Sequence, residues 1–251
     1  MTDTSITLEK ISVVAPSRAA SRRFGEMLAN THNAGADAFG QRPLDHAGPC
    51  YIGNLELPMP VVVAGTLPPR GIRTADMLAV DGTCPDLASP LEVTGSQPVS
   101  AWHWGEFYAD YRVLPYVRQA LERGALSPDD ARVLDRLTQR LRAGIYDDDA
   151  PPARIHGDLW AGNVLYTSSE AVLIDPAAHG GHRITDLAML ALFGAAHLAE
   201  TFDAYAATSS QLPKGWRRLI ALHQLHPLLV HAVLFGGSYG AAAVRAAHEY
   251  R

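Results

Sequence analysis

Between residues 153 and 175 the sequence narrows the fold more than anywhere else in its 251 residues. Ala153-Arg154-Ile155-His156 reads as a short strand. It delivers a tight turn, His156-Gly157-Asp158. Two apolar runs follow, Val164-Leu165-Tyr166 and Ala171-Val172-Leu173-Ile174, with Thr167-Ser168-Ser169-Glu170 between them as a turn. That pattern is a β-hairpin. Asp175 closes its second strand. A hairpin returns its ends to one place, so Asp158, Asn163 and Asp175 can converge on one point.

The rest of the chain reads mainly as helix. Residues 6–14 alternate as one strand, and Pro16-Ser17 starts a helix with Ala20, Phe24, Met27, Leu28 and Thr31 on one face. Residues 36–62 read as loop. Residues 63–100, rich in proline and glycine, show no sustained period and are expected to be an irregular insertion. Residues 102–123 read as a helix that Pro115 kinks or divides. Ser127-Pro128-Asp129-Asp130 is a strong helix start, with a capping hydroxyl, a first-turn proline and acids at the positive end of the dipole. Helices are expected again at about 186–196, 200–208, 214–234 and 240–250, with Pro227 kinking or dividing the third.

Composition limits the function classes. Hydrophobic residues make up 47% and charged residues 19%, a globular balance rather than a disordered one. The net charge of −5 leaves no basic excess for nucleic acid. No run of 18 apolar residues suggests a membrane span, and the N-terminus lacks a signal-peptide pattern. Two cysteines, Cys50 and Cys84, make no disulfide framework. The expected location is cytoplasmic.

Two carboxylates and an amide oxygen are hard ligands that suit Mg²⁺, an ion that keeps several waters and is shared with substrate phosphates. Phosphoryl transfer uses such a set in a divided way: one carboxylate orients or deprotonates the attacking hydroxyl, and the other, with the amide, holds the metal. The spacing suits Asp158 as base and Asn163 and Asp175 as ligands. Any one of these residues alone reads better as a turn or cap residue; the ordered set reverses that and points to chemistry.

His156-Gly157-Asp158-Leu159-Trp160-Ala161-Gly162-Asn163-Val164-Leu165, then Leu173-Ile174-Asp175-Pro176-Ala177, then Gly181-His182-Arg183-Ile184-Thr185-Asp186-Leu187-Ala188-Met189, resembles the fructosamine (ketosamine) kinases. That family has the aminoglycoside-phosphotransferase and protein-kinase-like fold. Tyr51-Ile52-Gly53, Trp104-Gly105-Glu106-Phe107-Tyr108, Leu228-Leu229-Val230-His231 and Phe235-Gly236-Gly237-Ser238-Tyr239 are similar to further family segments. The resemblance covers roughly 8–60 and 102–245. It implies an α+β, mainly helical fold: the C-terminal lobe of a kinase-like phosphotransferase with a small β-hairpin at the active site. It implies an ATP-dependent kinase, with ATP as donor and Mg²⁺ as cofactor, acting on a hydroxyl of a small sugar amine such as a ketosamine. Asp158 would be the catalytic base, and Asn163 and Asp175 the metal ligands. His156 would scaffold the catalytic loop, Asp186 would brace it through its backbone, and Trp160 would lie near the sugar amine.

The resemblance also implies an N-terminal lobe with a phosphate-covering glycine loop and a lysine on the phosphates. Here Leu8-Glu9-Lys10-Ile11 resembles the linker between the lobes, so residues 1–15 are expected to be a hinge-like strand and 16–251 the C-lobe. Only two lysines occur, Lys10 and Lys214, and neither stands in the phosphate-binding position. No Gly-x-Gly-x-x-Gly or Walker-type glycine loop occurs. The alternative reading is therefore a catalytically impaired, pseudokinase-like binding module. A surface uncovered by a missing lobe would be apolar and would be covered by a second copy or another partner.

Other motifs carry less. Gly236-Gly237-Ser238-Tyr239-Gly240 matches a nucleophile elbow, but the acid and histidine that must follow in order are not there. His179/His182 and His223/His226 have no cysteine partners and no His-Glu-x-x-His pattern for zinc. A two-metal phosphatase would need more histidines on several strands. Asp147-Asp148-Asp149 lacks the alternation and glycine of a calcium loop.

Overall fold

The structure is a computed structural model, and it describes residues 10–43, 46, 48–60 and 103–250. The chain divides into two units, Met1–Pro60 with Trp102–Arg251, and Val61–Ala101. The second unit lies outside the described residues, and with it the expected insertion at 63–100.

The first unit opens with residues 10–17 in no regular element. One backbone bond, from Val14 N–H to the Tyr166 carbonyl at 2.8 Å, is what the described part of the expected 6–14 strand forms. Residues 6–9 lie outside the described residues. Helix α1 (Arg18–Asn33) begins where the proline and serine predict, the Ser17 side chain accepting from Ala20 N–H. The stretch read as loop contains a hairpin, β1 (Cys50–Ile52) and β2 (Leu55–Leu57), around Gly53-Asn54, with Gly53 at φ +57°. A two-residue Gly-Asn turn is a hairpin signal that the surrounding prolines masked.

The 102–123 helix is α2 (Trp104–Phe107), a π-helical segment (Tyr108–Val113) and α3 (Leu114–Glu122). Pro115 does not break it. The proline lacks an N–H, and the turns before it widen so that Leu114 N–H reaches back to the Ala109 carbonyl. Helix α4 (Pro128–Arg142) starts with a complete Ser127/Asp130 capping box.

Strand β3 (Ala153–Ile155) leads to the hairpin β4 (Val164–Tyr166) and β5 (Ala171–Leu173), paired Val164 to Leu173 and Tyr166 to Ala171. The glycine stretch after Asp175 forms β6 (His179–Gly181), antiparallel to β3. Glycine is depleted in strands, so nothing in the local sequence marks this one. Here a Cβ on Gly180 would meet the Ala38 carbonyl at 2.1 Å, so the close approach needs glycine. Helices α5 (Ile184–Phe193) and α6 (Leu198–Thr208) follow. The expected 214–234 helix is a 3₁₀ turn (Trp216–Leu219), α7 (Ile220–His223) and α8 (Leu225–Phe235). Its break falls at Gln224, three residues before Pro227, as a proline-bearing first turn requires. Helix α9 (Tyr239–His248) completes the lobe. The run Trp216–Phe235 is long and apolar enough to cross a membrane, but it fills the core of the lobe.

Two apolar clusters hold the unit. One joins β1, β2, the α2–α3 helix, α4, α8 and α9 around Tyr108, Tyr116, Leu134 and Leu229. The other joins α1, α5, α6 and the β4–β5 hairpin around Phe24, Leu28, Leu187 and Tyr205. Helices α1 and α6 pack so closely that a Cβ on Gly25 would lie 2.3 Å from the Thr201 carbonyl. Leu159 in the second cluster and Ala177 in the first bracket the turn that carries Asp158.

Candidate active site

The turn after β3 is shaped by its backbone. Gly157 sits at φ +82°, and a Cβ there would lie 2.3 Å from the Ala177 carbonyl, so no other residue fits. His156 donates from Nε2 to the Ile174 carbonyl at 2.9 Å. Its Nδ1 is therefore the lone-pair nitrogen, and it accepts from Asp158 N–H at 3.3 Å. One imidazole thus ties the turn to the far end of the hairpin.

Asp158 is half-buried, and Leu159 beside it is fully buried. Asn163 ends a 3₁₀ turn (Ala161–Asn163) and donates from Nδ2 to the Asp158 carbonyl at 2.8 Å, with the Asp158 carboxylate at 3.5 Å. Both acceptors demand the nitrogen, which fixes the amide's orientation. Among the described residues, Asn163 Oδ1 accepts no hydrogen bond. The Asn163 carbonyl accepts from Ile174 N–H at 3.2 Å, which sets Asp175 beside it. Asp175 is exposed and holds φ 51°, a left-handed conformation uncommon for any residue but glycine. The structure thus links His156, Asp158 and Asn163 by direct hydrogen bonds. Asp175 joins them through the backbone of Ile174, without a side-chain hydrogen bond to either.

Asp186, in the first turn of α5, is the buried anchor. Its Oδ2 accepts from His156 N–H at 2.7 Å and its Oδ1 from Gly157 N–H at 2.9 Å. His32 of α1 donates a third bond from Nε2 at 3.0 Å. Burial opposes ionisation of Asp186, but the His32 hydrogen bond, the neighbouring His32 and His156 rings and the His156 backbone N–H outweigh it and hold the carboxyl below its usual range. Asp158 goes the other way. Burial is the main cause and the Asp186 charge adds to it, while His156, His231 and the Asn163 amide oppose; its carboxyl rises above the usual range.

Trp160 is 43% exposed, and its indole lies over Gly162, where a Cβ would fall 2.2 Å from the ring. The outer face is open for stacking.

Sequence reading missed three residues. His32 and Tyr205, whose hydroxyl lies 2.7 Å from His32 Nδ1, sit on distant helices, and nothing in their local sequence marks them. His231 bonds the Pro227 carbonyl at 2.8 Å, stands among Phe193, Phe235 and Tyr239, and acts to lower the Asp158 pKa. Its segment was noted only as a whole.

The two histidine pairs do other work. His179 donates to the Ala177 carbonyl and is pushed down to about 3 by burial and by Arg112. His182 bonds Asp148, His223 bonds Thr185, and His226 bonds the Arg112 carbonyl. Among the described residues, no three His, Cys, Asp or Glu side chains group as a metal cluster. For Mg²⁺ the fitting donors are the unbonded Asn163 Oδ1 and the exposed Asp175 carboxylate, hard oxygens held by a common backbone.

The fructosamine kinase family matches residues 94–250. Mouse ketosamine-3-kinase is 33% identical over 145 residues, 56% of this chain and 45% of its own length. A "probable ketoamine kinase" of Synechocystis is 36% identical over 137 residues, 54% of this chain and 44% of its own. The chain spans about half the length of the curated relatives it matches. A Thermobifida fusca structure assigned as a fructosamine-3-kinase superposes with a TM-score of 0.72 at 41% identity, over 96% of this chain and 68% of that one. A second such structure, from Haemophilus somnus, has a TM-score of 0.67 at 17% identity and speaks to the fold alone. The mainly helical α+β lobe, its hairpin and its matched motifs together place the chain in the fructosamine kinase family.

Proposed function

We propose that the chain transfers the γ-phosphoryl group of ATP to a hydroxyl of a ketosamine or related sugar amine. The observation that carries this reading is the Asp158–Asn163 pair, with Asp175 held beside it by the Ile174 backbone. Asp158 accepts the hydroxyl proton as the oxygen bonds to phosphorus and ADP leaves. Its raised pKa makes it a better base than an exposed carboxylate. Asn163 Oδ1 and the Asp175 carboxylate hold Mg²⁺, which when bound neutralises the phosphate oxygens. His156 and Asp186 fix the turn, and Trp160 offers a face to the sugar amine. Names of the family's relatives, which speak of ketoamines and ketosamines, support the acceptor class.

The test is phosphoryl transfer from labelled ATP to a glycated amine by the purified chain. Asp158→Ala and Asp175→Ala should each abolish transfer with the fold intact. Substantial transfer by either variant would defeat the assignment. Acceptor binding without ATP turnover by the unaltered chain would favour the alternative, a binding module.

A further inference from the structure

The brace on the catalytic turn does not end at His32. His32, Asp186, Tyr205 and Arg183 are each 0% exposed, so the hydrogen bonds between them have no water to replace them. Asp186 can only accept, so His32 Nε2 carries a proton. Its other nitrogen, Nδ1, lies 2.7 Å from the Tyr205 hydroxyl. Arg183 lies beside Tyr205.

Arg183 is held independently, by Asn33 at the end of α1 and by Ser209 and Gln211 after α6. The side chains of Tyr205, His32 and Asp186 thus form one continuous buried path. It ends on the carboxylate that grips two amides of the turn. We propose that Tyr205 is a positioning residue for the His156–Asp158 turn: through His32, its hydroxyl fixes the orientation of the Asp186 carboxylate. The proposal rests on the reading of Asp158 as the base, since a fixed turn matters to catalysis through that residue.

Packing alone would need the ring and not the hydroxyl. The ring meets His32 edge-on, with centroids 5.5 Å apart, and Tyr205→Phe keeps that contact while removing only the hydroxyl. His32 Nδ1 is then buried without a partner, and the ring is free to turn away from Asp186.

The experiment is Tyr205→Phe in the full chain, followed by amide hydrogen exchange and steady-state kinetics. Tyr146→Phe is the control; it removes a hydroxyl bonded to the Tyr250 carbonyl at 2.7 Å, in the other core. In Tyr205→Phe the amides of residues 156–158 should exchange about tenfold faster, the equivalent of one hydrogen bond, while those of α4 keep their rates. The kcat should fall by a similar factor with the acceptor KM unchanged, and Tyr146→Phe should change neither. Wild-type exchange at 156–158, or equal acceleration there and in α4, would overturn the proposal. If the unaltered chain shows no turnover, the kinase reading falls, and the exchange rates still decide the role of Tyr205.

Discussion

His32 and Asp186 lie 154 positions apart and meet at 3.0 Å with both side chains sealed from water. The pair joins the first helix of the lobe to the helix after β6. Its free carboxylate capacity goes to the amides of His156 and Gly157. A turn of three residues, one a glycine in a left-handed conformation, has little stiffness of its own. The rigidity that a positioned base needs is supplied from outside the turn, by a buried anion with three donors.

His32→Leu should lower the unfolding free energy by about 3 kcal/mol, because it leaves the Asp186 charge buried and short of one partner. Urea unfolding monitored by circular dichroism measures this. A change below about 1 kcal/mol would mean that the two backbone amides suffice.

Asp158 predicts a pH dependence of stability. Its folded pKa is raised above the unfolded value near 4, so the folded state holds the proton more tightly. Ionisation therefore removes stability as pH rises from about 4 through the folded pKa, and the loss is complete above it. Asp158→Asn should be more stable than the unaltered chain at pH 7, with the difference shrinking towards pH 3. Thermal melts at the two pH values check it; a variant less stable at pH 7 would contradict it.

Asp175 separates function from folding. Its φ of 51° is a conformation that glycine adopts freely. Asp175→Gly should keep the unfolding free energy within about 1 kcal/mol while removing Mg²⁺-dependent nucleotide binding. Loss of folding in this variant would show that the carboxylate has a structural role.

Gly162→Ala should displace the Trp160 indole, since the added Cβ would fall 2.2 Å from the ring. Tryptophan fluorescence should shift, and the acceptor KM should rise about tenfold with little change in the KM for ATP. An equal rise in both constants would remove Trp160 from the acceptor side.

The site was legible where its residues are close in sequence. His156, Asp158, Asn163 and Asp175 fall within one strand–turn–hairpin unit, so spacing alone brings them together. The Ser127 cap was likewise written locally, in a hydroxyl, a proline and two acids. What escaped depends on distant packing. The His179–Gly181 strand is stabilised by neighbours that a local pattern does not show. His32 and Tyr205 look like ordinary helix residues until α1 and α6 are packed, with Gly25 allowing the approach. Pro115 showed that a proline signal has more than one solution; a π turn absorbs the missing donor and the helix continues.

The central claim is that Asp158, Asn163 and Asp175 form one metal-dependent phosphoryl-transfer site. Titration calorimetry of the purified chain with ATP, with and without Mg²⁺, tests it most directly when run beside Asp175→Gly. The account predicts binding that requires Mg²⁺ and is lost in the variant. Nucleotide binding indifferent to Mg²⁺ or to Asp175, or no binding at millimolar ATP, would contradict it.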